Sequence, residues 1–104
     1  MIKKYQVEIT ATAEADVAEI WAYIAQDNAR AATSFISRIE QQIDTLEAFP
    51  ERCPPLPENG SFSINYRHLL HGNYRTIFKI VGDKVIILRI LHGARLLEMV
   101  MLEI

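Results

Sequence analysis

The sequence predicts an α+β domain in the order β-α-α-β-β-β, with an antiparallel helical hairpin packed on one face of a small, mainly antiparallel sheet. Three observations predict this fold class. An alternating segment follows the N-terminus, two segments with helical apolar stripes come next, and three strand-like runs separated by short turns form a C-terminal meander. The length of 104 residues fits one domain, spanning 1–104, with two packed layers.

The first strand and the first helix are predicted from their contrasting periods. The segment YQVEIT, residues 5–10, alternates apolar and polar side chains, which is the period of a half-buried strand. Thr12 is then a suitable N-cap, and acidic residues in the following turn favour a helix over 13–26. We predict that Trp21 belongs to the core stripe of this helix. The acidic residues of both helices fall mostly off the apolar stripes and are predicted to be solvated.

A second helix is predicted to extend to about residue 48. Its stripe consists of Ala32, Phe35, Ile36, Ile39, Ile43 and Leu46. The short QDNA break before it makes the two helices an antiparallel hairpin. The stretch FPERCPPLPENG holds all four prolines and is predicted to be a loop packed over the surface. The single cysteine, Cys53, cannot form an intramolecular disulfide, and we interpret it as a reduced thiol of minor structural importance.

Three strands are predicted at residues 63–71, 74–81 and 84–91, separated by the hairpin-forming dipeptides GN and GD. In the last two strands the more apolar alternate positions are predicted to face the helices. These positions are Thr76, Phe78, Ile80, Ile86, Leu88 and Ile90. Arg75 and Arg89 then share the uncovered face, subject to a hairpin register that a bulge would change.

Charge divides the chain into two unequal parts. The formal net charge is −2, yet residues 64–95 carry six basic residues against one acidic residue, a net +5, and all three histidines. The remainder carries −7. This split predicts that one layer meets an anionic partner. No apolar run is long enough to cross a bilayer and the N-terminal segment does not resemble a signal peptide, so we expect a cytoplasmic protein without a membrane partner.

The basic segment contains the residues most suited to chemistry. They are Arg67, His68, His71, Arg75, Arg89, His92 and Arg95. Guanidinium groups bind phosphate in a two-point manner and a histidine can exchange protons with a hydroxyl, so RNA cleavage without a metal could be built from such groups. The alternative is that each is a solvated strand residue or a surface ion-pair partner. His68 and His71 would lie on opposite faces of a strand, and we expect no metal site and no cofactor.

The whole pattern resembles the RelE/ParE family of toxins from bacterial type II toxin–antitoxin systems. The residues that carry the resemblance are AEADVAEIWAYIA, the LEAFP exit from the second helix, YRHLLHGNYRTIF and the closing ILRILHGAR. The resemblance implies a β-α-α-β-β-β toxin neutralised by a cognate antitoxin in a hetero-oligomer. Two activities occur on this fold: RelE-like members cleave messenger RNA on the ribosome, and ParE-like members poison DNA gyrase.

The resemblance implies functional roles for three residues of this sequence. Arg75 matches an arginine in the third strand of the ribonucleases, Arg95 matches one just past their fourth strand, and His92 lies where some members have a histidine. The C-terminal tyrosine that ribonucleases often carry is absent, because no tyrosine follows Tyr74. A basic approach to the second strand is also missing, and the net charge of −2 opposes binding to a ribosome. These departures favour the ParE branch.

The sequence therefore leads to one preferred function and two alternatives. We expect a gyrase inhibitor without its own catalysis. The first alternative is a ribosome-dependent mRNA endonuclease in which Arg75 and Arg95 stabilise phosphate and His92 transfers a proton. The second is a non-toxic binding module.

Two surfaces are predicted from this interpretation. The target-binding residues are Arg67, Arg75, Arg89, His92 and Arg95. An amphipathic segment of the antitoxin should cover a groove between the helical hairpin and the apolar tail LLEMVMLEI. The antitoxin-binding residues are Trp21, Leu97, Val100 and Leu102.

Overall fold

The computed structural model describes residues 3–56 and 65–93. The order of elements is β1 (Gln6–Ile9), α1 (Ala11–Ala25), α2 (Ala29–Asp44), two 3₁₀ turns (Thr45–Glu47 and Pro50–Arg52), β2 (Arg67–His71), β3 (Tyr74–Val81) and β4 (Lys84–His92). Four predicted site residues lie outside the described residues, namely Arg95, Leu97, Val100 and Leu102. The same holds for positions 63–64 of the predicted second strand.

The four strands form one sheet in the order β1-β4-β3-β2. The meander β2-β3-β4 is antiparallel, and β1 pairs with β4 in parallel from Gln6↔Lys84 to Ile9↔Ile87. Gly72 (φ 57°) and Gly82 (φ 62°) occupy the first position of each two-residue turn, where a positive φ suits glycine. The predicted α+β class and β-α-α-β-β-β order are confirmed.

The two helices begin at side-chain caps. The Thr10 hydroxyl accepts a hydrogen bond from the backbone N–H of Ala13 (3.1 Å), and α1 begins at Ala11. The prediction that Thr12 is the cap was wrong, because the hydroxyl that reaches an unpaired N–H belongs to the residue directly after β1. Asn28 caps α2 in the same way. The α-helical hydrogen bonding of α2 ends at Asp44 and a 3₁₀ turn follows, so the predicted extension to residue 48 was too long.

The main core lies between the helical hairpin and the sheet. The predicted stripe of α2 is confirmed, with all its members buried except the partly buried Phe35. Trp21 is not a core residue: it is 41 % exposed, and its indole N–H donates to the Thr33 hydroxyl at 3.2 Å. Cys53 is a buried member of this core, and burial raises the pKa of its thiol. Its structural importance was therefore underestimated from the sequence.

A bulge in the β3–β4 hairpin decides which residues of β4 face the helices. The register shifts between Ile77 and Phe78, so that Ile77 pairs with Arg89 while Phe78 pairs with Ile87. Val85 and Ile87 belong to the main core beneath the helices. The prediction that Ile86 and Leu88 face the helices was therefore wrong, whereas Phe78, Ile80 and Ile90 do pack with the main core.

The second face of the sheet carries its own small apolar cluster. Leu56, Ile77, Leu88 and Leu91 form it, with Tyr66 and Ile86 at its margin. Residues 54–56 run antiparallel along the outer edge of β2, since Leu56 N–H donates to Tyr66 C=O (2.9 Å) and His68 N–H donates to Pro54 C=O (3.2 Å). Leu56 thereby reaches this cluster, whereas Cys53 belongs to the main core. The loop prediction for this segment is confirmed in the part that the structure describes.

Candidate functional site

Arg89 forms the most buried ion pair among the described residues. Its Nε donates to Asp16 Oδ2 at 2.8 Å and its Nη2 donates to Asp16 Oδ1 at 3.0 Å. Both residues are 5 % exposed. Asp16 Oδ2 also accepts the backbone N–H of Ile90 at 3.0 Å. The pairing of β4 with β1 ends at Ile87, so no β1 residue accepts the Ile90 N–H. The Asp16 carboxylate accepts it instead, and this contact fixes α1 to the end of β4.

Arg75 and Arg89 lie on the same face of the sheet as predicted, because their register partners Leu91 and Ile77 both belong to the cluster on the second face. The prediction that this face leaves them uncovered was wrong, since both arginines are buried. Beyond Ile87 the pairing of β4 with β1 has ended, and α1 begins after Thr10, whose hydroxyl donates to Leu88 C=O at 3.2 Å. This brings Asp16 against the edge of β4. The prediction that the acidic residues of the helices are solvated was therefore wrong for Asp16. Its side chain is buried against Arg89, which lies 73 positions away in the sequence.

Arg75 and Arg67 are also built into the fold. Arg75 lies near the start of the inner strand β3, paired in register with Leu70 and Leu91, and is 8 % exposed. Arg67 Nη1 donates to the backbone carbonyls of Cys53 (2.6 Å) and Glu51 (3.2 Å). This arginine thus holds the segment after α2 against β2.

Aromatic rings form a row across the end of the sheet. The register places His71 opposite Tyr74 and Tyr74 opposite His92. The Phe35 ring of α2 packs at 4.9 Å from the His71 ring and at 5.6 Å from the Tyr74 ring, and the Tyr74 and His92 rings are 5.5 Å apart. His92 is exposed and His71 partly so. The row ends at two imidazoles that solvent reaches.

A cleft of about 180 Å³ lies beside this row, and we call it the Tyr74 cleft. It is lined by Asp16, Glu19, Ile20, Tyr23, Tyr74, Ile90, Leu91 and His92. The carboxylate of Asp16 is engaged by Arg89. The other polar side chains of the cleft belong to Glu19, Tyr23, Tyr74 and His92. In the described parts of the chain no group of three metal-binding side chains occurs.

Comparison with known proteins assigns the family. The sequence model of the ParE toxin of the type II toxin–antitoxin system parDE matches residues 7–97. The chain belongs to the ParE toxin family. None of the curated proteins compared with this ParE-family chain matches it.

Two solved structures share the fold of this ParE-family chain. One is the chromosomal ParDE toxin–antitoxin system from P. aeruginosa, with 20 % identity, a TM-score of 0.67, and coverage of 86 % of this chain and 97 % of that chain. The other is the toxin–antitoxin complex RelBE2 from Mycobacterium tuberculosis, with 22 % identity, a TM-score of 0.61, and coverage of 86 % and 98 %. At these identities the likeness concerns the fold.

The predicted site residues of this ParE-family chain do not form one exposed cluster in the described structure. His92 is exposed, whereas Arg75 and Arg89 are buried, and Arg67 is held by backbone carbonyls. The sequence did not single out Asp16 and Tyr74, which line the Tyr74 cleft together with His92. The feature of the sequence that could have indicated the buried position of Asp16 is its place in the first turns of a helix directly after a strand.

No described helix is both long and apolar enough to span a membrane.

Proposed function

We propose that this ParE-family protein is a toxin that inhibits DNA gyrase and is neutralised by a cognate antitoxin. The observation that carries the proposal is that the described arginines of the basic segment stabilise the fold and are not presented together to a ligand. A ribonuclease needs several cations that contact phosphate, yet Arg75 and Arg89 are buried in this fold and Arg67 binds two backbone carbonyls. The ParE family match over 7–97 supports the same branch.

One feature favours the ribonuclease as the second candidate. Tyr74 lies beside His92 with ring centroids 5.5 Å apart, so a tyrosine and a histidine stand together although no tyrosine occurs near the C-terminus. With Arg95 they would supply the acid, the base and one phosphate-binding group of metal-free RNA cleavage, whereas the second predicted phosphate ligand, Arg75, is buried.

The two functions are separated by a pair of assays on the same folded protein. We expect that it abolishes supercoiling by purified gyrase or traps cleaved DNA, and that primer extension on messages from induced cells finds no codon-phased cuts. Undisturbed supercoiling with folded protein would refute the gyrase proposal. Codon-phased cuts that disappear in His92→Gln would establish the ribonuclease instead.

The antitoxin is proposed to cover a groove between the helical hairpin and the C-terminal tail. Trp21 supports this role because it is a large side chain that the core does not bury. The other predicted antitoxin-binding residues, Leu97, Val100 and Leu102, remain a sequence-based prediction.

Two variants test the antitoxin surface. Trp21→Ala and deletion of residues 96–104 should each weaken the toxin–antitoxin complex. Tyr23→Ala, which removes another exposed aromatic of α1, is the matched control and should leave the affinity unchanged. Full affinity in a folded Trp21→Ala protein would reject the role of Trp21.

A further inference from the structure

A second cleft opens between the helical hairpin and the edge strand β1, and we call it the β1 cleft. It is lined by Ile9, Glu14, Val17, Glu40, Ile43 and Ile90. Its volume is about 270 Å³. An apolar cavity of roughly 150 Å³ already holds a benzene-sized ligand. The β1 cleft therefore has room for the aliphatic stem of a long side chain.

The walls of the β1 cleft combine an apolar floor with negative charge. Ile43 and Ile90 form the buried floor, and Ile9 stands at the mouth, 43 % exposed. The charged residues of the described lining are Glu14 from α1 and Glu40 from α2, brought together by the antiparallel hairpin. Neither carboxylate forms an ion pair with another described residue. A ligand that fits both features is an aliphatic chain ending in a cation.

We infer that the β1 cleft receives a lysine or arginine side chain of the antitoxin, an inference that rests on the proposed function. The methylenes of that side chain would lie on Ile43 and Ile90, and its charged end would remain near water at the carboxylates. The exposed Ile9 beside the mouth offers an apolar contact to a neighbouring residue of the same segment. A small free amine bound in the cleft would not contact Ile9, whereas a lysine or arginine within a protein segment would bring a neighbouring residue onto it. The arrangement therefore fits a protein segment better than a small amine.

The chemistry of the cleft is tested without the antitoxin. n-Butylammonium and n-butylguanidinium are titrated into protein labelled at isoleucine methyl groups, and we expect saturable shifts at Ile9, Ile43 and Ile90. Ethylammonium should bind more weakly, by up to about fourfold for each missing methylene. n-Butanol, which has the same stem without the charge, should bind more weakly than n-butylammonium. Equal responses to n-butanol and n-butylammonium, or no saturable shift with either cation, overturn the inference.

Charge-neutralising variants locate the cation. The Glu14→Gln, Glu40→Gln double variant should lose the preference for n-butylammonium over n-butanol. Glu19→Gln is the matched control, because Glu19 also belongs to α1 but lines the Tyr74 cleft. Retention of the preference in the double variant refutes the assignment of the two carboxylates.

The role of the antitoxin is tested in the complex. Glu14→Lys and Glu40→Lys should each raise the Kd by about tenfold or more, and the loss should shrink as salt is added, while Glu19→Lys changes little. Unchanged affinity in both variants, with gyrase inhibition by the free proteins intact, rejects the inference and spares the proposed function. If the wild-type protein does not inhibit gyrase but still binds n-butylammonium at Glu14 and Glu40, the proposed function is rejected and the proposed chemistry of the cleft is retained.

Discussion

Removal of the Asp16 carboxylate should destabilise the fold more than any exposed substitution on α1. Asp16→Leu deletes three hydrogen bonds, two from Arg89 and one from the Ile90 N–H, and removes the carboxylate that pairs with the buried Arg89 guanidinium. Breaking a buried ion pair from one side costs about 3–5 kcal/mol. The free energy of unfolding of a domain is roughly 5–15 kcal/mol, so a large part of it would be lost.

Thermal unfolding measures this loss. A domain of this size loses roughly 4 °C of Tm per kcal/mol, so Asp16→Leu should melt about 12–20 °C below the wild type. Glu19→Leu is the matched control on the exposed side of α1, and its free energy of unfolding should stay within about 0.5 kcal/mol of the wild type.

A double variant separates the ion pair from simple loss of helix packing. Asp16→Leu combined with Arg89→Met removes both charges, and such apolar replacements of a buried pair are often neutral or stabilising by about 1–4 kcal/mol. The Ile90 N–H stays unpaired at a cost of about 1–3 kcal/mol, so the double variant should regain at least half of the lost stability. The reasoning is refuted if Asp16→Leu melts within about 4 °C of the wild type. It is equally refuted if the double variant is as unstable as the single one.

Three further predictions concern the segment after α2 and its contact with Tyr5, the residue directly before β1. Arg52 donates to Ala48 C=O (2.7 Å), Phe49 C=O (3.1 Å) and Thr45 Oγ1 (2.8 Å), so Arg52→Ala should cost about 1–2 kcal/mol in urea unfolding, and Arg52→Lys should recover only part of it. Phe49 has φ 50° and is 56 % exposed; Phe49→Gly should raise the free energy of unfolding by about 0.5–1 kcal/mol and Phe49→Ala should not, because alanine keeps the strained Cβ. The Tyr5 hydroxyl donates to Glu51 Oε1, which raises the pKa of Tyr5 and lowers that of Glu51, so NMR titration of Glu51→Gln should show the Tyr5 pKa falling towards its ordinary value. Because the pKa of Glu51 is lower in the folded state, the ionised Glu51 stabilises the fold at pH values above the unfolded-state pKa. This stabilisation is lost as the pH falls through the folded-state pKa. The Glu51→Gln variant should not show that loss.

The elements of the fold could be predicted because each depends on local patterns. The stripe of α2 repeats at helical spacing, and the two glycine-containing turns select two-residue hairpins, so α2, β3 and β4 lie close to their predicted positions. The boundaries depended on single hydrogen bonds. Periodicity alone could not decide whether Thr10 or Thr12 caps α1, because both precede the same apolar stripe.

The candidate site was harder to predict because its geometry depends on long-range contacts. One extra residue in the β3–β4 register changed which side of β4 faces the helices, and an alternating pattern does not reveal a bulge. The partner of Arg89 lies 73 positions away on α1, and nothing in the residues near Arg89 indicates it. The exposure of Trp21 likewise depends on how the two helices pack, because its position on the stripe also faces Thr33 of α2.

The parallel pairing of β1 with β4 has a consequence for biosynthesis. β4 lies between β1 and β3 in the sheet, yet it is the last described strand to leave the ribosome. Until it has emerged, β1 has no strand partner and the underside of the helical hairpin has no sheet to pack on. The neighbouring strands β2, β3 and β4 can pair early because their turns are short, whereas closing β1 onto β4 requires the whole described chain. The nascent protein therefore remains without its complete sheet, and without the ion pair of Asp16 with Arg89, until translation has passed residue 92.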